Sequence, residues 1–167
     1  MCSDSRIQND DFKMHDVNDL FVVRNIGNQI KNSIGSVEYG VHFLKTPVLL
    51  IVGHSGCGAI KAVVSKAEVN NANVERELKS LHLHYIDSVN KGIVENINHQ
   101  VEYALKKFKN LVATKALVII GAIDDFQNSY QQGTGRLIII NINGEIDTKK
   151  IFKNQYLSNI EGITTLD

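Results

Sequence analysis

The chain has 167 residues, 43% of them hydrophobic and 22% charged, which suits a globular domain able to bury one core. Lys plus Arg number 18 and Asp plus Glu number 18, so neither a nucleic-acid-binding surface nor an acidic tail is expected. No apolar run approaches the ~18 residues of a membrane helix, and the first residues carry no signal-peptide pattern. No membrane partner and a cytoplasmic setting are therefore expected.

In chain order, the opening Met1-Cys2-Ser3-Asp4-Ser5-Arg6 holds one of only two cysteines. Residues 7–19 mix polar and charged groups around Phe12 and Met14 and read as a surface loop or short helix, with His15 solvated. Residues 20–23 form a short apolar run that predicts a strand. Arg24 follows at its end, then the turn Asn25-Ile26-Gly27-Asn28. Residues just past parallel strand ends line ligand crevices, which makes Arg24 a candidate charge near a site. Ile34, Val37, Val41 and Leu44 recur at helical spacing, predicting a helix over 33–44 that Pro47 helps to close, with His42 packed on it.

Val48-Leu49-Leu50-Ile51-Val52 reads as a buried strand ending in the glycine-punctuated turn Gly53-His54-Ser55-Gly56-Cys57-Gly58. A helix to about residue 67 should follow. After an asparagine-rich break at 69–73, leucines at 78 and 81 with Ile86 predict a helix over 75–89. His82 and His84 are two apart, a poor spacing for two ligands on one helix face. Gly92 should interrupt, and Ile93, Ile97, Val101, Leu105 and Phe108 mark a longer helix over 93–111. Strands are predicted at about 116–120 and 136–142, with a loop over 124–134 between them. Asn143-Gly144 signals a turn, and 151–167 is a terminal helix or a loose tail. Strand signals alternating with helical stretches predict an α/β fold, a mostly parallel β-sheet flanked by helices, in a single domain over 1–167.

His54 and Cys57 make an H-x-x-C pair at the mouth of a strand-to-helix turn, and imidazole and thiolate are preferred zinc ligand types. The other cysteine, Cys2, is available as a third ligand. A reduced metal site fits a cytoplasmic protein better than a disulfide; two buried structural cysteines are the plainer alternative.

The blocks Cys2-Ser3-Asp4-Ser5-Arg6 and Gly53-His54-Ser55-Gly56-Cys57-Gly58, in this order and about fifty residues apart, resemble the signature of the β-class carbonic anhydrases. The likeness extends over roughly residues 1–146. It takes in Asp19-Leu20-Phe21-Val22-Val23-Arg24-Asn25-Ile26-Gly27-Asn28, Ser36-Val37-Glu38-Tyr39-Gly40-Val41 and the strands near 117–122 and 135–140. The resemblance implies that Cys2, His54 and Cys57 bind Zn²⁺, that Asp4 and Arg6 form a catalytic dyad, and that the last strand is antiparallel. It implies attack of zinc-bound hydroxide on CO₂ to give bicarbonate, in a homodimer or higher homo-oligomer. Hydrolysis of CS₂ or COS on the same fold, or a catalytically weak zinc-binding protein or fragment, are the alternatives.

Two features depart from the family. Where many members carry Gly-Ala-x-Tyr-Asp, this chain has Gly121-Ala122-Ile123-Asp124-Asp125, which removes the tyrosine ring from the pocket. Family members also place a helical arm and a central strand before the first zinc cysteine, whereas only Met1 precedes Cys2 here. A shortened frame or fragment, whose sheet lacks an interior strand, is therefore expected.

Overall fold

The computed structural model describes residues 1–4, 19–81, 83–84, 86–157 and 164–166. After a 3₁₀ turn at Ile26–Asn28 and another at Lys31–Ser33, the described elements run in this order. Helix α1 (Ile34–Glu38) passes into a π-helical turn (Tyr39–Phe43), and β1 (Val48–His54), α2 (Gly58–Val64), α3 (Ala72–Lys79) and α4 (Val89–Lys107) follow. Then come α5 (Lys109–Ala113), β2 (Val118–Asp125), β3 (Arg136–Ile142), α6 (Thr148–Phe152) and β4 (Thr164–Thr165).

The sheet order is β1-β2-β3-β4. β1 runs parallel to β2, in a register that sets Val48 opposite Val118 and His54 opposite Asp124. β3 is antiparallel to β2, with a register shift at Gly121/Ala122, and β4 is parallel to β3. This is the expected α/β sheet with 136–142 antiparallel. The two-residue β4 is an addition, drawn from what the sequence left as a terminal helix or tail.

The alternation of β2 assigns its two faces. Ile119 and Ile123 point into a core shared with Ile51, Ile60, Ile93, Ile97, Val101 and Phe108, whereas Val118 and Ala122 join Ile139, Ile142, Ile151 and Leu157 on the opposite side. Helix α4 covers the first face at very close range. A Cβ on Gly53 would lie 2.7 Å from Ile97 Cδ1, and one on Gly121 would lie 2.7 Å from Ile97 Cγ2. These two glycines let Ile97 sit directly on the strands.

Several sequence expectations change. Gly92 does not interrupt a helix but lies inside α4, where a Cβ would meet Ile60 Cγ2 at 2.7 Å. Tertiary packing, the close approach of α2, overrides glycine's poor helix propensity there. The α4 start is set instead by Ser88, whose Oγ accepts the Lys91 N–H at 3.3 Å. The helix expected over 75–89 begins earlier and stops earlier. Asn71 Oδ1 caps it by accepting the N–H groups of Asn73 and Val74 at 3.0 and 3.1 Å. Its last turn tightens to a Leu81 N–H···O=C Leu78 bond of 3.2 Å as Leu81 enters the core. The helix over 33–44 is broken into 3₁₀, α and π turns. His42 is exposed, its ring centroid 5.6 Å from that of Phe108.

Residues 20–23 are not a ladder strand. A strand exists only where a neighbour offers main-chain partners, and among the described residues β1 pairs with β2 alone. The segment's partner is instead residues 1–3. Met1 N donates to Val23 O (2.8 Å), Asn25 N–H to Met1 O (3.3 Å) and Ser3 N–H to Asn25 O (2.9 Å), forming one parallel bridge between Cys2 and Asn25.

Because Ile97 of α4 is fully buried against β1 and β2, Ile97→Ala should lower unfolding stability by about 2–5 kcal/mol. Urea denaturation followed by far-UV circular dichroism will read this as a lower midpoint with an unchanged slope.

Candidate metal centre

Three chain segments converge on one point. β1 carries His54 at its C-terminal end, the following turn carries Cys57 at the start of α2, and the bridge to Asn25 sets Cys2 beside them. One ligand atom from each of Cys2, His54 and Cys57 lies within 4.8 Å of the others, and all three residues are buried. Among the described residues it is the only such group of three.

The turn that brings His54 and Cys57 together needs glycine at position 56. Its φ is +64°, where a side chain is strained, and a Cβ there would also collide with the Gln127 carboxamide. Ser55 ties the turn to its neighbours. Its N–H donates to Asp124 O at 3.0 Å, and its Oγ accepts the Gln127 N–H at 3.2 Å.

The His54 ring is oriented by its other nitrogen. Nδ1 lies 3.0 Å from Ser55 O, a carbonyl that can only accept, so Nδ1 carries the hydrogen and Nε2 presents its lone pair. Nε2 is buried and has no hydrogen-bond partner. An orphaned imidazole lone pair beside two buried thiols is an arrangement that a bound cation would complete. The Phe126 ring stacks near the imidazole, with centroids 5.9 Å apart and planes 22° from parallel.

The two sulfurs share one proton unequally. Cys2 is held well below the usual thiol range, chiefly by a hydrogen bond from the Cys57 thiol. Burial opposes this, while the main-chain N–H groups of Asp4 and Gly27 support it. Cys57 is pushed up, first because it donates to Cys2, then by burial and by the Cys2 charge; the N–H groups of Ile60 and Ala59 oppose the rise. A metal ion would take the place of that shared proton and favour both thiolates.

Asp4, expected as a catalytic acceptor, has Oδ2 3.7 Å from His54 Nε2, with its side chain one-fifth exposed. Arg6, its expected dyad partner, and the histidines at 15 and 82 lie outside the described residues. Arg24 is at the site: its guanidinium donates to the carbonyls of Cys2 and Asp4 at 3.1 and 2.5 Å. His84 has a side chain 70% exposed, with Nδ1 3.6 Å from Glu95 Oε1.

Asp124 and Asp125 are both buried. The Asp125 carboxylate accepts the N–H groups of Ser129 and Tyr130, each at 2.8 Å, and its carbonyl accepts that of Gly135 at 2.9 Å. This carboxylate therefore shapes the loop that delivers Phe126 and Gln127.

The sequence reading missed the supports on α4. Asn96 Nδ2 donates to Gly27 O (2.9 Å), and Gln100 Oε1 accepts the Ile30 N–H (2.9 Å), tying the 24–30 turn to the helix. Gln100 Nε2 in turn reaches Asn96 Oδ1 at 3.2 Å. The signal was present: two amides, four apart, flank the apolar stripe of Ile93, Ile97 and Val101.

A mixed α/β sheet that gathers two thiols and an imidazole at the end of one strand defines an α/β protein whose Cys-His-Cys group could hold a metal ion. The carbonic anhydrase family profile matches residues 1–134, most of the chain. The chain belongs to the carbonic anhydrase family, and its fold is that of the β class.

The carbonic anhydrase of Mycolicibacterium smegmatis is 43% identical over 65 residues, which cover 38% of this chain and 32% of that protein. That of Pseudomonas aeruginosa is 33% identical over 100 residues, covering 50% and 46%. The chain thus spans between about a third and a half of the length of these curated relatives. Among solved structures, a β-carbonic anhydrase of Coccomyxa in complex with acetazolamide superposes with TM-score 0.62 at 26% identity. It covers 91% of this chain and 74% of that one. Tetrameric β-carbonic anhydrases of Sordaria macrospora superpose with TM-score 0.70 at 22% identity, covering 84% and 77%, a likeness of fold.

If the three side chains form one metal centre, Cys57→Ser should abolish stoichiometric metal in purified protein, measured by inductively coupled plasma mass spectrometry. A full equivalent retained by the variant would contradict the donor set.

Proposed function

We propose that the protein is a zinc-dependent carbonic anhydrase that interconverts CO₂ and bicarbonate. The observation that carries this reading is the meeting of Cys2, His54 and Cys57, with the Asp4 carboxylate 3.7 Å from His54 Nε2. Two thiolates and a neutral imidazole suit Zn²⁺ and leave a fourth tetrahedral position open, as in catalytic sites. When bound there, zinc supplies a Lewis acid that makes a water nucleophilic near neutral pH.

The chain's own residues do the rest. The Ser55 carbonyl holds His54 Nδ1, leaving Nε2 as the ring nitrogen available to a metal. The Asp4 carboxylate accepts a hydrogen bond from the attacking water and turns its lone pair toward the CO₂ carbon. Arg6 keeps that carboxylate ionised and aimed, as a guanidinium fork can. A purely structural metal site would need no acceptor beside its open position, so the placement of Asp4 favours catalysis over a structural role.

The active form is a homodimer or a higher homo-oligomer. Phe21, Tyr39 and Phe43 form a row, the first pair tilted with centroids 5.9 Å apart and the second stacked at 5.5 Å, yet Phe43 is 77% exposed and Tyr39 50%. An exposed aromatic row beside exposed Leu44 and Val48 is a surface that a second copy would cover. Among the described residues no helix is long and apolar enough to cross a membrane.

Stopped-flow CO₂ hydration, with zinc content measured on the same sample, tests the activity. Asp4→Ala should keep a full equivalent of zinc and lose about 100-fold or more in turnover at pH 8. A variant as fast as the parent would remove Asp4 from the mechanism. Sedimentation velocity at micromolar concentration should show a dimer or larger species, and a monomer alone would refute self-association.

A further inference from the structure

We propose that Arg24 is a positioning residue, a two-pronged clamp that holds the Cys2–Asp4 segment in place for metal binding. The inference rests on Cys2 as a ligand and Asp4 as the acceptor, and it concerns how a four-residue stretch is held at all.

Main-chain pairing accounts for only part of that stretch. Met1 O and the Ser3 N–H are taken by Asn25, through bonds of 3.3 and 2.9 Å. The carbonyls of Cys2 and Asp4 alternate with these groups along the chain. Arg24 takes both, Nε donating to Cys2 O at 3.1 Å and Nη2 to Asp4 O at 2.5 Å. Two consecutive residues, Arg24 and Asn25, thus hold the alternating main-chain groups of residues 1–4.

The chemistry suits a guanidinium. Its donors are rigidly spaced in a plane, so fixing one carbonyl fixes the direction of the other, and its charge strengthens both bonds. The two carbonyls belong to the residues whose side chains matter at the site, Cys2 and Asp4. Arg24 therefore acts on the metal through the main chain of its ligand. The turn that carries Arg24 is itself anchored to α4, where Asn96 holds Gly27 O and Gln100 holds the Ile30 N–H. The clamp consequently refers the Cys2–Asp4 segment to the same helix that packs on β1, the strand bearing His54.

The test compares the parent with Arg24→Met, which keeps the stem and removes the fork. Chelator-treated chains of residues 1–167 are exposed to iodoacetamide, and the alkylation of each cysteine is followed by peptide mass spectrometry. In the parent both thiols are buried and should react slowly. In R24M, Cys2 should react at least ~10-fold faster while Cys57 keeps its parental rate. In parallel, zinc affinity measured by chelator competition should fall by about 10–100-fold, the usual effect of losing a group that orients a ligand.

A Cys2 rate equal to the parent's overturns the clamp, and so does unchanged zinc affinity in a variant whose Cys2 has become reactive. Should R24M expose both cysteines alike, as general unfolding would, Arg24→Lys decides the matter, since it keeps the charge but offers one nitrogen instead of two. Selective acceleration at Cys2 in R24K upholds the proposal; acceleration at both thiols or at neither refutes it. Thiol labelling does not depend on CO₂ hydration. Failure of the clamp is therefore distinguishable from failure of the catalytic reading.

Discussion

The pairing of residues 1–3 with 23–25 is the constraint on which the centre depends. His54 and Cys57 come from one strand end and one tight turn, so their mutual geometry is local. Cys2 is the remote member, and ordering a short segment costs about 1–2 kcal/mol of backbone entropy per residue. The opposing interactions are the main-chain bonds to Val23 and Asn25 and the two bonds from Arg24. A hydrogen bond contributes about 0.5–1.5 kcal/mol net, and more when one partner is charged. The single bridge and the guanidinium fork therefore carry much of the geometry that a longer ladder would otherwise supply.

Helix α4 is the common reference for everything at the site. Ile97 presses against Gly53 and Gly121, which fixes the height of β1 and β2 beneath the helix. One face further round, Asn96 and Gln100 use buried amides to hold the 27–30 turn. Apolar contact sets distance, while directional hydrogen bonds set rotation and register, and α4 supplies both from adjacent positions. The cost of burying two amides is offset because each finds partners of good geometry.

The electrostatics of the centre are organised around an incomplete shell. Cys2 and Cys57 hold one proton between them, and His54 Nε2 faces the same space without a donor. In a buried setting such unmet acceptors are costly, and a divalent cation satisfies all three together. Beside the centre, Asp124 and Asp125 are both buried. Asp125 folds the 125–135 loop through its carboxylate, so that Phe126 and Gln127 pack against the His54–Cys57 turn.

The sequence by itself determined the strand that bears His54, the H-x-x-C pair in the turn after it and the α/β class. These depend on residue types at fixed local spacing, and a turn such as Gly53–Gly58 has few ways to fold. Cys2 as the third candidate donor and the antiparallel sense of the last strand were legible only through the family resemblance. Tertiary structure alone decided what depends on neighbours distant in the chain. The apolar run at 20–23 has strand composition, but among the described residues its stretch pairs with residues 1–3 through a single bridge and not a ladder. Gly92, a helix breaker by propensity, stays helical because Ile60 needs its missing side chain. Asn71 and Ser88 moved two helix starts by capping, and Leu81 ended a helix by entering the core. Arg24 could be placed near a site from its position after a strand, but its grip on two main-chain carbonyls could not be read. Composition and spacing record which side chains a segment offers, and main-chain partners are assigned only when the segments meet.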